Sequence, residues 1–203
     1  MVHEEEEVLR KEGSADKTVI MLHGRGATAH SIMQLEKQLP KAEYVAPQAA
    51  DNTWYPRSFM EPVGSNQPHL DSALRKVHGL VEEAAERVGK ENAFLLGFSQ
   101  GACLASEYVA RNPDGYGGVI VFSGGLIGER VREHKGDMEG TPVFIGCSEN
   151  DPHIPLERVD RTAQTFEGLG ADMEKHVFEG SYHGITEYEL DAAESIIGRS
   201  KTI

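Results

Sequence analysis

The sequence predicts an α/β fold in which a mostly parallel sheet is covered by helices on both faces. Two observations carry this. Short, continuously apolar runs alternate with segments of helical period along the 203 residues, which is the pattern of strands buried on both sides. The pentapeptide Gly97-Phe98-Ser99-Gln100-Gly101 stands directly behind one such run and ahead of a helix-like stretch, the setting of a sharp strand-to-helix turn.

The expected strands are Thr18 to Leu22, Glu43 to Ala46, Ala93 to Leu96, Val119 to Phe122, Pro142 to Cys147 and Met173 to Phe178. Each is a run of four to six residues, and most carry too few polar positions to leave a face in water. The segment Val2 to Arg10 is read as an additional antiparallel edge strand. Leu70, Leu74, Val77, Val81, Ala84 and Val88 recur at helical spacing, as do Leu156, Val159, Ala163 and Phe166. Ala102 to Arg111 continues the pentapeptide as a helix. A last helix opens at Thr186, with Glu189 three residues on as its capping-box partner.

Composition restricts the function classes. A hydrophobic content of 39% over this length supports one substantial core, and no Pro/Gly/Ser-rich linker divides it, so a single domain spanning 1-203 is expected. The formal net charge of -13, without clustered Lys and Arg, argues against nucleic acid as a partner. The run Glu4 to Glu7 reads as a solvated edge. No apolar run reaches the length of a membrane span, and the acidic start does not resemble a signal peptide, so a cytoplasmic location is expected. Cys103 and Cys147 read as buried small hydrophobes rather than a disulfide pair.

The chemistry begins at Ser99. On a turn this tight, Gly97 and Gly101 remove the side chains that would block the backbone, so Ser99 projects its hydroxyl as a candidate nucleophile. The Gln100 amide, at a helix N-terminus, can donate to a developing oxyanion. A serine nucleophile needs a base, and the base an orienting carboxylate. Of nine histidines, only His153 and His183 lie downstream in loops that follow expected strands, and His183, between the last strand and the last helix, is favoured. His23 reads as structural. Glu149, Asp151 and Asp160 compete for the acid. Asp160 falls on a helix, and Asp151, in a loop stiffened by Pro152 and Pro155, is favoured over Glu149. The order Ser99, Asp151, His183 is that of α/β-hydrolases.

The segments Leu22-His23-Gly24-Arg25-Gly26, Gly97 to Gly101, Asp151-Pro152-His153-Ile154-Pro155 and His183 together resemble the phospholipase/carboxylesterase family of α/β-hydrolases. That family includes acyl-protein thioesterases and small bacterial carboxylesterases. The resemblance spans essentially the whole chain. It implies an α/β-hydrolase fold, a Ser99, Asp151 and His183 triad, oxyanion donors at the backbone amides of Arg25 and Gln100, and hydrolysis of esters or thioesters through an acyl-enzyme. It implies no metal and no cofactor; a zinc reading of His153, His183 and Cys147 lacks the short paired spacing of a metal motif. The chain departs from acyl-protein thioesterases at Arg25, where an apolar residue is usual, and at Trp54-Tyr55-Pro56-Arg57, which looks more like small bacterial hydrolases. Cys147 and Ser148 replace a histidine-glycine pair that often precedes the acid.

Only Ser123 to Thr141 separate two of the strands, too few residues for an independent cap domain. The connection from Pro47 to Leu70 carries Trp54, Tyr55, Phe59, Met60 and Pro62 without clear period, and connections this long are usually functional. Trp54, Tyr55 and Phe59 are expected to wall a shallow groove, favouring short to medium acyl esters. The partner expected is thus a small-molecule ester, with a homodimer left open. Alternatives are an acyl-protein thioesterase or lysophospholipase activity, and, in another class, a hydrolase-fold ligand receptor with slow turnover.

Overall fold

A computed structural model describes residues 2–199, and within them seven strands form one sheet. The strands are β1 (Val8–Lys11), β2 (Thr18–Leu22), β3 (Glu43–Pro47), β4 (Ala93–Phe98), β5 (Gly118–Phe122), β6 (Pro142–Ser148) and β7 (Asp172–Phe178). Their spatial order is β1-β3-β2-β4-β5-β6-β7; β1 is antiparallel to β3 and every other pair is parallel. The helices are α1 (Ala29–Met33), α2 (His69–Val88), α3 (Gln100–Arg111), α4 (Leu156–Gly168) and α5 (Glu187–Gly198). This is the α/β-hydrolase architecture. No cap domain is inserted, since residues 123–141 between β5 and β6 carry no helix or strand.

Alternate residues of each central strand enter different cores, which is why the runs are continuously apolar. Ile20, Leu22, Leu95, Val119, Val121, Val143 and Ile145 pack with α2, α3 and α4. Val19, Met21, Phe94, Leu96, Ile120, Phe122 and Phe144 pack with α1 and α5 on the opposite face. A strand with period-2 side chains and two buried faces has no position for a polar group. On α2, Leu70, Leu74, Val77, Val81 and Ala84 are buried, as their spacing requires.

The edge strand expected over Val2 to Arg10 is confined to Val8–Lys11. Its partner explains the limit: Val8 pairs with Pro47, the last residue of β3, and one further bond joins the Gln48 amide to the Glu7 carbonyl before the chain turns away. Residues 2–7 instead turn back over α2. The His3 amide donates to Ser72 Oγ at 3.0 Å, and Lys76 Nζ donates to the carbonyls of His3 and Glu6 at 2.7 and 2.6 Å. The fully buried His3 ring accepts from the Ala50 amide at Nδ1 and donates from Nε2 to the Trp54 carbonyl at 2.9 Å. Burial lowers its pKa and keeps the ring neutral for these two opposite roles.

This arrangement corrects the expectation for Trp54. The indole is fully buried, 5.6 Å from the His3 ring and 5.0 Å from the His23 ring, and its Nε1 donates to the His23 carbonyl at 2.9 Å. It lies in the core beneath the aromatic connection rather than on a groove wall, because an indole in the core with its N–H satisfied buries more apolar area than any other side chain here. Trp54→Ala should therefore lower the unfolding free energy by about 3–5 kcal/mol, read from the urea midpoint. A loss below about 1 kcal/mol would contradict this placement.

The Thr186 capping box of α5 forms as expected: Thr186 Oγ1 accepts from the Glu189 amide at 3.3 Å and the Thr186 amide donates to Glu189 Oε2 at 2.7 Å. Glu189 is nonetheless buried, and its Oε1 has no hydrogen-bond partner beside Gly146. Burial raises its pKa, against the Thr186 bonds. The folded carboxyl thus keeps its proton where the unfolded one has lost it, and stability falls as pH rises from 4.5 through the raised folded value. Glu189→Gln cannot ionise, so the wild type should lose stability relative to this variant as pH is raised from roughly 4 to 7, measured by denaturation at a series of pH values. A constant difference across the series would mean that folding leaves the pKa of this carboxyl unshifted.

Candidate active site

The parallel strands β2, β4, β6 and β7 all end at one edge of the sheet, where chemistry in open α/β sheets gathers. Ser99 follows β4 with φ 54° and ψ -117°, a left-handed conformation that a non-glycine residue holds only when its surroundings fix it. Two backbone bonds do so: the Ser99 amide donates to the Phe122 carbonyl at 2.9 Å, and the Cys103 amide to the Ser99 carbonyl at 3.0 Å. A Cβ on Gly97 would collide with the Gly101 carbonyl, and one on Gly101 with the Leu22 carbonyl. The turn requires both glycines because backbone meets backbone on either side of Ser99.

His183 arrives on the loop between β7 and α5. Its Nε2 lies 3.0 Å from Ser99 Oγ and its Nδ1 lies 2.7 Å from Asp151 Oδ2. A carboxylate only accepts, so Nδ1 carries the hydrogen and Nε2 turns its lone pair to the serine hydroxyl. The Phe98 ring packs 5.1 Å from the imidazole and the His153 ring stands edge-on at 4.8 Å.

Of the three carboxylates that compete in the sequence, Asp151 meets the histidine. Glu149 Oε1 accepts from the Gly180 amide at 3.2 Å, and Asp160 pairs with Lys175 at 2.6 Å. The Asp151 side chain is wholly buried, and its other oxygen accepts from the amides of His153 and Ile154 at 2.8 and 3.0 Å. The prolines of this loop thus act indirectly, and two backbone amides hold the carboxylate. Burial alone would raise its pKa; the His183 bond and these two amides outweigh it and keep Asp151 below the usual carboxylate range.

Gln100 opens α3, where an amide has no intrahelical acceptor. Its side chain, invisible as a structural element in the sequence, is buried and ties the neighbouring loop: Oε1 accepts from the Trp54 amide at 2.9 Å and Nε2 donates to the Tyr55 carbonyl at 2.9 Å. A glutamine at a helix start ordinarily reads as solvated, so no sequence signal marks it. Arg25 holds the same loop from the other side, its guanidinium donating to the carbonyls of Tyr55, Pro56 and Arg57 at 2.9, 3.1 and 2.7 Å. His23 is buried with its pKa lowered by that burial; its Nε2 accepts from the Ala49 amide at 3.1 Å and its Nδ1 faces the Gly24 carbonyl. It is a structural residue.

These groups border a cleft of about 490 Å³. Ser99, His183 and Gln100 line it, together with Arg25, Tyr55 and Phe59 among others. Trp54 lies outside the lining. His153 and Arg57 line the cleft and were not assigned to it from the sequence. Among the described residues, no helix is long and apolar enough to cross a membrane, and no group of three or more His, Cys, Asp or Glu is arranged to hold a metal ion.

Comparison with known proteins agrees with this fold. The family described as Phospholipase/Carboxylesterase matches residues 3–200. A solved phospholipase/carboxylesterase from Dyadobacter fermentans DSM 18053 is 41% identical, with a TM-score of 0.92 over 98% of this chain and 99% of that one. A probable carboxylesterase of Oryza sativa subsp. japonica is 32% identical over 143 residues, covering 67% of this chain and 54% of the rice protein's length. Acyl-protein thioesterase 1 of Saccharomyces cerevisiae is 25% identical over 213 residues, 92% of this chain and 93% of that protein. With its sheet, its Ser99 turn and a family match running over nearly its whole length, the chain belongs to the phospholipase/carboxylesterase family of α/β-hydrolases.

Proposed function

We propose that the protein is a serine carboxylesterase that hydrolyses short to medium acyl esters through an acyl-enzyme. The observation that carries the reading is the continuous pair of hydrogen bonds from Ser99 through His183 to Asp151, opening on the cleft. In this reading Ser99 Oγ attacks the substrate carbonyl as His183 Nε2 takes its proton. Asp151 holds the imidazole in the required tautomer and favours the imidazolium that forms. The amides of Gln100 and Arg25 stabilise the oxyanion, the first helped by the positive end of α3. The proton on Nε2 passes to the departing alkoxide, and water, activated by the same nitrogen, releases the acid and restores Ser99.

A cleft of about 490 Å³ lies in the lower half of the usual range for small-ligand sites, which supports small acyl groups over long-chain lipids. The yeast relative's name supports thioesters as a second substrate, and the same protein can be assayed on ester and thioester pairs of equal chain length.

Ser99→Ala should lose roughly 10⁴ to 10⁶ in kcat on p-nitrophenyl esters while keeping its Tm, and a fluorophosphonate should label Ser99 and no other serine. A folded variant with near-normal turnover ends the nucleophile assignment; a wild type that neither turns over esters nor takes the label returns the ligand-receptor reading. Asp151→Asn should cost roughly 10⁴ in kcat by reversing the tautomer, whereas Glu149→Gln should stay within about threefold. The opposite ranking would move the acid to Glu149.

A further inference from the structure

We infer that the ester taken by this cleft carries an anionic group, and that Arg57 reads it. The inference rests on the esterase reading above and adds the charge of the substrate.

The starting point is a contrast between the cleft and the rest of the molecule. The chain has 33 Asp and Glu against 20 Lys and Arg, and among the described residues ten of those cations are drawn into ion pairs. Arg10 meets Glu83, Arg75 meets Glu4, Arg87 meets Glu43, and both Arg111 and Arg132 meet Glu107. The cleft reverses the balance: Arg25 and Arg57 line it, and no Asp or Glu does. The acid nearest the relay, Asp151, is wholly buried behind His183, with its oxygens engaged by the imidazole and two amides. An acidic protein that leaves its ester site without a facing carboxylate presents a local positive potential to whatever enters.

Two guanidinium groups supply that potential. Arg25 is spent structurally, donating to three carbonyls and lying 5.9 Å from the Tyr55 ring centroid, but carbonyl oxygens do not neutralise its charge. Arg57 is different. Among the described residues its guanidinium has no carboxylate within 4.0 Å and no hydrogen-bond acceptor. Its backbone, by contrast, is held on both sides. The Arg57 amide donates to the Oδ1 of fully buried Asn66 at 2.8 Å, Asn66 Nδ2 donates to the Ser58 carbonyl at 3.0 Å, and the Arg57 carbonyl accepts from Arg25. A fixed base carrying a free planar fork, on the wall of a cleft that contains the serine, suits two-point binding of a carboxylate or phosphate.

The same chemistry can arrive on either side of the scissile bond, as a carboxylate on the acyl chain or a phosphate on the alcohol. Two matched pairs separate them: monomethyl glutarate against methyl pentanoate, and the butyryl ester of glycerol 3-phosphate against monobutyrin, each followed by proton release at constant pH. The wild type should prefer the anionic member of one pair by tenfold or more in kcat/KM, with the advantage shrinking as NaCl is raised. In Arg57→Gln the ratio of anionic to neutral kcat/KM should fall about tenfold or more, and Arg57→Lys should restore part of it. Neither substitution touches the Asn66 or Arg25 bonds, which use the backbone, so folding is preserved and is checked by Tm. Parity in both pairs, or a preference that survives in Arg57→Gln, overturns the inference while leaving the esterase reading standing. No turnover of any of the four esters, together with no fluorophosphonate labelling, overturns the esterase reading and this inference with it.

Discussion

The backbone contact on either side of Ser99 is the constraint from which the site grows. A residue held at φ 54° costs about 1–3 kcal/mol locally, and it persists because α3 is pressed against the end of β2 so closely that Gly101 has no room for a side chain beside the Leu22 carbonyl. That approach does two things at once. It lifts the Ser99 hydroxyl above the carboxyl edge of the sheet, and it directs the N-terminus of α3 at the place where substrate oxygen would develop charge. Any larger residue at Gly97 or Gly101 would separate α3 from the sheet and lose both.

Gln100 extends the effect from the turn to the cleft wall. Its side chain reaches the backbone of Trp54 and Tyr55, while Arg25 grips Tyr55, Pro56 and Arg57 from the other flank. Beneath them, Trp54 is set between His23 and His3, and His3 is itself held by Ser72 and Lys76 of α2. A connection without regular period is therefore stiff: between Trp54 and Ser58, amides and carbonyls outside any sheet or helix are taken up by the side chains of Gln100, Asn66 and Arg25. Tyr55 and Phe59 can line the cleft because Trp54 anchors the segment between them and the core.

The strands and long helices were legible because burial on two faces leaves a strong signal, continuous apolar runs for β2, β4 and β5 and a 3.6-residue repeat for α2 and α4. The relay was legible from residue type and order, Ser99 through motif and flanks, His183 and Asp151 through their places after β7 and β6. What stayed hidden depends on single side chains bonding to backbone. Nothing in the spelling of residues 47–70 says that Trp54 faces inward and Tyr55 lines a cleft, since aromatics in an irregular segment carry no period to sort them. The turn of residues 2–7 over α2 depends on His3 and Lys76 finding acceptors about 70 residues apart in the chain, and the hold on Asp151 comes from amides rather than from its prolines.

The acids around the relay are sorted by solvation rather than by sequence. Asp151, Glu189 and Cys147 lie close enough for their charges to interact, with Cys147 Sγ 3.8 Å from Asp151 Oδ2. All three are buried, yet only Asp151 receives enough donors to lower its pKa against that burial. Burial, reinforced by the Asp151 charge, pushes the Cys147 thiol up to about 12 and raises Glu189 as well. The three groups are thereby pushed apart in acidity, with the most readily ionised of them, Asp151, facing His183 Nδ1. Raising Glu189 and Cys147 while lowering Asp151 favours a single carboxylate at the imidazole Nδ1, the arrangement that fixes its tautomer.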